Sequence, residues 1–119
     1  MRTPTDNAPV PHNLPALASI TVLGTTVFGE ERRHGRDHRA DLEAFRAWLA
    51  QRHPGVRLAV RCRWRPEEHG RVGVDLDTAA PLASRPGMPL SGQDRSLHLE
   101  RMRIEDAWRE MVGWEGHIS

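Results

Sequence analysis

The chain of 119 residues has no lysine and no tyrosine, and these absences exclude several classes of function. All 17 basic side chains are arginine, so a phosphate-loop lysine and Schiff-base or pyridoxal chemistry are excluded. Without tyrosine there is no tyrosine nucleophile. Cys62 is the single cysteine, which excludes internal disulfides, a redox-active thiol pair and every zinc site built on several cysteines.

Long apolar runs are also missing. The most apolar stretch, 16–28, is interrupted by serine, threonine and glycine, and it is too short and too polar to span a bilayer. Four prolines within the first fifteen residues occupy the place where a secretory signal carries its apolar segment. We therefore expect a cytoplasmic protein that makes no membrane contact.

The overall composition is that of one globular domain. Hydrophobic residues make up 38% and the net charge is +1, values that argue against global disorder. A chain of this length buries roughly two-thirds of its unfolded surface, which suffices for a core without metal or disulfides. We predict a single domain over 16–119. Residues 1–15, with their spaced prolines, are predicted to be an extended or disordered arm, or alternatively an arm that docks on a partner subunit.

Hydrophobic periodicity predicts the order strand, helix, strand, strand, helix. The predicted strands are 18–28, 56–65 and 71–77, and the helices are 38–52 and 94–112. Gly24 marks a bulge or a break in the first strand, and one continuous strand is the preferred interpretation. The prediction is an α+β fold in which two helices pack on one face of a three-stranded sheet.

The last two predicted strands are expected to form a hairpin. Apolar and polar residues alternate along 56–65 and again along 71–77, and 66–70 has the composition of a turn. One register places Trp64 opposite Val72 and pairs Arg61 with Asp75. A slip of one residue would place arginines opposite valines, so this register is favoured.

The polar side of this predicted hairpin carries a row of arginines. They are Arg57, Arg61, Arg63, Arg65 and Arg71. Guanidinium groups bind phosphate or carboxylate through two donors, so the row suits a nucleic-acid backbone or an acidic protein surface. A pI near 8.1 and the absence of an aromatic residue on that side weigh against nucleic acid. A merely solvated face that discourages edge-to-edge aggregation is the third interpretation.

Four other residues are candidates for binding or for chemistry. Trp114 follows the last predicted helix, where it either packs back on the domain or anchors a contact with another chain. His34 and His38 have the i, i+4 spacing of a metal pair, but Gly35 disfavours helix there, so a charged loop is the preferred interpretation. Cys62 is predicted to be a buried, inert thiol.

The leading functional prediction is a small non-enzymatic interaction module. It would self-associate or bind a protein partner through the open, arginine-rich sheet face, without a cofactor. The first alternative is a nucleic-acid-binding protein that uses the arginine-rich hairpin. The second alternative is a small metal-dependent enzyme that uses the histidines and nearby carboxylates.

Overall fold

The computed structural model describes residues 9–26, 38–64, 71–79 and 92–112. Its elements are β1 (Leu17–Thr26), α1 (His38–Arg52), β2 (Arg57–Trp64), β3 (Val72–Thr78) and α2 (Gly92–Met111). The predicted α+β class, the element order and the packing of both helices on one sheet face are confirmed. Neither helix is long and apolar enough to cross a membrane, within the ranges just given.

The strand order, β2-β1-β3, overturns the predicted hairpin. β1 is the central strand; Val22 is paired in parallel with Val60 and in antiparallel with Val74. The predicted pairing of Trp64 with Val72 is therefore wrong, because a whole strand separates them. Alternation specifies which side of a strand is buried but not which strand lies beside it. The β1-α1-β2 unit is a parallel crossover, and its helix covers the same face as α2.

The predicted ion pair within the hairpin is wrong for the same reason. Arg61 lies beside Leu23, and Asp75 lies beside Thr21, so the two charges are on opposite edges of the sheet. Adjacent strands lie about 4.8 Å apart, which separates the two edge strands by about 10 Å. The expectation that Asp75 neutralises Arg61 consequently fails.

The hydrophobic core fills the space between the sheet and the two helices. Phe45 and Trp108 meet edge to face with ring centroids 5.4 Å apart, and both are fully buried. The inward face of α2 carries five apolar residues, and all of them are buried. They are Leu97, Ile104, Ala107, Trp108 and Met111.

Residues 9–16 form an irregular segment that lies against the helices. The Pro9 carbonyl accepts a hydrogen bond from Arg52 Nη2 at 3.2 Å, and the His12 carbonyl accepts one from the Ser96 hydroxyl. Leu14 is packed against the core. This part of the predicted arm is attached to the domain, whereas residues 1–8 lie outside the described residues and the arm remains a prediction there.

Candidate functional site

The sheet face opposite the helices is the candidate site, and we call it the open face. The register arranges its residues in four rows, each of which crosses β2, β1 and β3 in that order. The rows are Arg57–Ser19–Asp77, Ala59–Thr21–Asp75, Arg61–Leu23–Gly73 and Arg63–Thr25–Arg71. The β1 hydroxyl residues are half-buried between their neighbours, whereas the described β2 and β3 side chains are exposed.

Charge is separated across the open face. The β2 edge carries Arg57 and Arg61, the β3 edge carries Asp75 and Asp77, and β1 between them is uncharged. Among the residues that the structure describes, no ion pair joins the two edges. Asp77 accepts a long hydrogen bond of 3.5 Å from the Ser19 hydroxyl. The face is therefore a basic edge and an acidic edge with a neutral strip between them.

Arg71 directly precedes Val72, the first residue of β3, and extends the open face at that end of the strand. Its backbone is held to β1, because Thr25 N donates to the Arg71 carbonyl at 2.7 Å and Arg71 N donates to Thr25 Oγ1 at 2.9 Å. The residue is exposed. Arg63 takes the matching position on β2 by register. Arg65 and Trp114, both predicted binding residues, lie outside the described residues.

Leu23 is the large apolar residue of the described open face, and 52% of its surface is exposed. Its neighbours in the row are Arg61 and Gly73. A single exposed leucine is ordinary on a protein surface and does not amount to an apolar patch. A partner of the open face must therefore supply charged and hydrogen-bonding groups for its arginines, aspartates and hydroxyls.

A buried ionic cluster joins the two helices and was not anticipated from the sequence. Glu100 is fully buried, and its two oxygens accept hydrogen bonds from Arg52 Nε at 2.6 Å and Nη2 at 2.8 Å. His53 Nε2 lies 2.5 Å from the same carboxylate. Burial acts to raise the pKa of Glu100, but the hydrogen bonds and charges of Arg52 and His53 outweigh it, so the pKa lies below its ordinary value.

The same cluster is covered by an aromatic ring. The guanidinium groups of Arg52 and Arg103 lie 5.5 Å and 5.8 Å from the centroid of the Trp48 ring. Because Glu100 is inaccessible and both its oxygens are occupied, this cluster holds the helices together and offers nothing to a substrate. The sequence feature that could have indicated a buried Glu100 is its helical spacing, which places it between Leu97 and Ile104 on the buried face of α2.

Metal binding and thiol chemistry find no support in the described residues. Among those residues no group of three or more His, Cys, Asp and Glu side chains could hold a metal ion. His34 and the side chain of His38 lie outside what the structure describes. Cys62 is half-buried, and this burial raises the pKa of its thiol, which favours the unreactive protonated form.

A shallow groove adjoins the acidic edge of the open face. It lies between β3 and the first half of α2 and has a volume of about 490 Å³. Its lining mixes the apolar Leu76 and Leu97 with the charged Asp77 and Arg101. A ligand pocket is ordinarily enclosed, whereas this groove is open to solvent along one side.

Comparison of the chain with protein-family models, with curated proteins and with solved structures finds no match. Function is therefore inferred from the open face and from the residues that border it.

Proposed function

We propose that this protein is a non-enzymatic interaction module that binds a protein surface through its open face. The observation that carries the proposal is the separation of charge on that face. Arg57 and Arg61 lie on one edge, Asp75 and Asp77 lie on the other, and no ion pair joins the edges within the described residues. Charges left unpaired in this way set the orientation and the association rate of a protein complex more than its affinity.

A protein partner suits this face better than a nucleic acid does. A phosphate backbone is negative along its whole length, so it would be attracted only to the β2 edge and repelled by Asp75 and Asp77 if it crossed the face. The described part of the open face also lacks an aromatic side chain on which a base could stack. In addition, the two-stranded arginine hairpin on which the nucleic-acid alternative was based does not form.

The module would act in the cytoplasm without a cofactor. The alternative of a small metal-dependent enzyme rests on His34 and on the side chain of His38, and both lie outside what the structure describes.

The proposal is tested with a pair of matched double variants. R57Q/R61Q removes two exposed arginines from the open face, and R95Q/R109Q removes two exposed arginines from α2. Each variant and the unmodified protein are immobilised as bait. One set is incubated with an extract of the source organism, and a second set with the purified untagged chain. We expect the unmodified protein and R95Q/R109Q to retain the same protein, which R57Q/R61Q loses.

The competing interpretations give different results. Anisotropy titrations with a labelled DNA duplex and a labelled single-stranded RNA measure nucleic-acid binding. A tight, salt-sensitive complex that R57Q/R61Q alone abolishes would replace the proposal with a nucleic-acid function. Identical retained proteins for all three baits, with no nucleic-acid binding, would show that the face is only solvated.

A further inference from the structure

We infer that the outer edge of β3 binds an extended segment of another protein, which adds to the sheet as a fourth strand and places basic side chains opposite Asp75 and Asp77. This surface shares the two aspartates with the open face but none of the β2 arginines, so the inference goes beyond the proposed function and does not depend on it. The evidence is a row of backbone groups at this edge, the groove beside them and the charges that border them.

The edge of β3 presents backbone groups that have no partner in the described parts of the chain. Thr25 N donates to the Arg71 carbonyl, so the backbone groups of Arg71 point toward β1. This direction alternates along an antiparallel strand, so every second residue after Arg71 also points toward β1. The residues between them direct their N–H and C=O groups away from the sheet, and these are Val72, Val74 and Leu76. An added strand pairs with such a row of donors and acceptors.

The two edges of the sheet differ in how their backbone is covered. On β2 the Val60 carbonyl accepts a hydrogen bond from Arg46 Nη2 at 2.9 Å, and Glu43 holds the same guanidinium group at 2.8 Å. Within the described ranges, no side chain bonds to the backbone of β3 in this way. A strand is therefore expected to add at β3 rather than at β2.

The groove between β3 and α2 leaves room for the added strand. Leu76 and Asp77 point to opposite faces of β3, yet both line the groove, so it runs along the edge of the strand. Its other wall is the first half of α2, which contributes Leu97 together with polar and charged side chains. Side chains that the added strand directs toward α2 therefore lie against Leu76 and Leu97, and apolar residues suit these positions.

The charges along β3 specify the chemistry of the segment. Asp75 and Asp77 are exposed, and neither forms an ion pair within the ranges 9–26, 38–64, 71–79 and 92–112. Residues opposite them on an added antiparallel strand belong to non-hydrogen-bonded pairs, in which side chains approach most closely. Arg71 lies on the same side of the sheet. The complementary segment therefore carries two basic residues at alternate positions and an acidic residue four positions beyond the second of them.

A second copy of this chain does not fit the edge. Antiparallel pairing of two β3 strands would allow Arg71 to lie opposite the partner's Asp77, so the charges alone permit it. However, α2 packs on β3, and both α2 helices would lie on the same side of the joined sheet. Neighbouring strands are about 4.8 Å apart, whereas packed helices need about 8–10 Å between their axes. A segment without a helix of its own avoids this clash.

The probe is a peptide of 7 residues, the length of β3, with the sequence Arg-Val-Arg-Val-Thr-Val-Glu. Acetyl and amide caps remove its terminal charges. One control peptide exchanges arginine and glutamate, which reverses the charge pattern. A second control keeps the charges but is N-methylated at its valines, the residues whose N–H groups would bond to β3. Binding to the isotope-labelled full chain is measured by NMR titration, and backbone hydrogen exchange is measured in the same samples.

We expect the first peptide to protect the amides of Val74 and Leu76 from hydrogen exchange. The amide of Asp75, which is bonded to β1, should be protected with or without the peptide. Both control peptides should bind at least about tenfold more weakly than the first, because one loses the charge pairs and the other loses the backbone donors.

Protein variants test the charges from the other side. D75N/D77N should bind the first peptide about fivefold more weakly than the unmodified chain does. R57Q/R61Q is the control and should bind it at least as tightly as the unmodified chain, because its substitutions lie on the β2 edge.

Equal binding of the N-methylated peptide would overturn the inference, because charge alone would then explain the binding. Equal binding of the charge-reversed peptide, unchanged binding by D75N/D77N, or no binding of the first peptide at about 1 mM would also overturn it. So would protection of Val74 and Leu76 that rises with protein concentration in the absence of peptide, since a second copy would then be the occupant. Because R57Q/R61Q loses its partner in the bait experiment but keeps the peptide here, failure of the proposed function and failure of this inference are distinguished.

Discussion

The Trp108 ring occupies the space beside Gly24 that a side chain at position 24 would fill. A methyl group on Gly24 would lie 2.1 Å from Trp108 Cζ2, a distance that no pair of carbon atoms tolerates without movement. The indole ring therefore lies directly on the backbone of β1, the central strand. This contact explains why a glycine interrupts an otherwise apolar row, and it confirms that Gly24 neither breaks nor divides the strand.

Replacing Gly24 by alanine should destabilise the protein. The Trp108 ring has to move out of a packed position, and overpacking of this kind costs roughly 1–3 kcal/mol. The measurement is the free energy of unfolding from urea denaturation. Gly73→Ala is the control, because its added methyl group would meet only the Leu23 carbonyl at 4.0 Å on the open face. An equal effect of both substitutions would contradict the packing described here.

Removing the buried carboxylate of Glu100 should destabilise the protein strongly. Glu100→Ala leaves the Arg52 guanidinium, with only 9% of its side chain exposed, without its carboxylate partner. Breaking a buried pair in this way costs about 3–5 kcal/mol. Glu43→Ala is the control, since its pair with Arg46 lies at the surface and such pairs contribute roughly 0–1 kcal/mol. A small effect of Glu100→Ala in urea denaturation would show that the helices are held by their apolar contacts alone.

The lowered pKa of Glu100 predicts a loss of stability in acid. Since the pKa of Glu100 in the folded protein lies below its ordinary value of 4.5, the unfolded chain binds more protons in the interval between the two values. The stabilisation is therefore complete above about pH 4.5 and is lost as the pH falls through the folded pKa. The measurement is the urea midpoint between about pH 7 and pH 3. Glu100→Gln should show a shallower dependence, and an unchanged slope would contradict the prediction.

Cys62 should react slowly in the folded protein. Burial raises the pKa of its thiol, so little thiolate is present at neutral pH, and the side chain is only partly accessible. We expect Ellman's reagent to modify the folded chain at least about tenfold more slowly than the guanidinium-unfolded chain. Equal rates in the two states would point to an exposed, activated thiol and would revive a nucleophilic role for Cys62.

Local sequence patterns are sufficient to predict structural features that depend only on residues a few positions apart in the chain. Phe45 and Leu49 lie four positions apart on one face of α1, and both are fully buried, as helical periodicity requires. The start of β1 shows where this fails. A register irregularity between Leu17 and Ser19 packs Leu17 against the core and leaves Ala18 exposed, whereas strict alternation with the buried Ile20 would bury Ala18.

The candidate site was predicted in part. Alternation in β2 correctly placed Arg57 and Arg61 on an exposed face. It did not show that the aspartates of β3 lie two strands away, because several strand orders bury the same apolar side chains equally well. The ionic cluster was missed because the spacing of Glu100 indicates a buried position but gives no sign that Arg52, forty-eight residues earlier, lies beside it.

By itself the sequence determined the class of fold, the bounds of its elements to within two residues and, away from the start of β1, the side of each element that is buried. Periodicity acts through residues a few positions apart, which is why these features can be read locally. The tertiary structure alone decided which strand became central, and with it the separation of basic and acidic edges on the open face. Which strand is central depends on packing between segments that are far apart in the sequence. The Trp108 ring requires a strand that carries a glycine beneath it, and β1 provides Gly24 at that position.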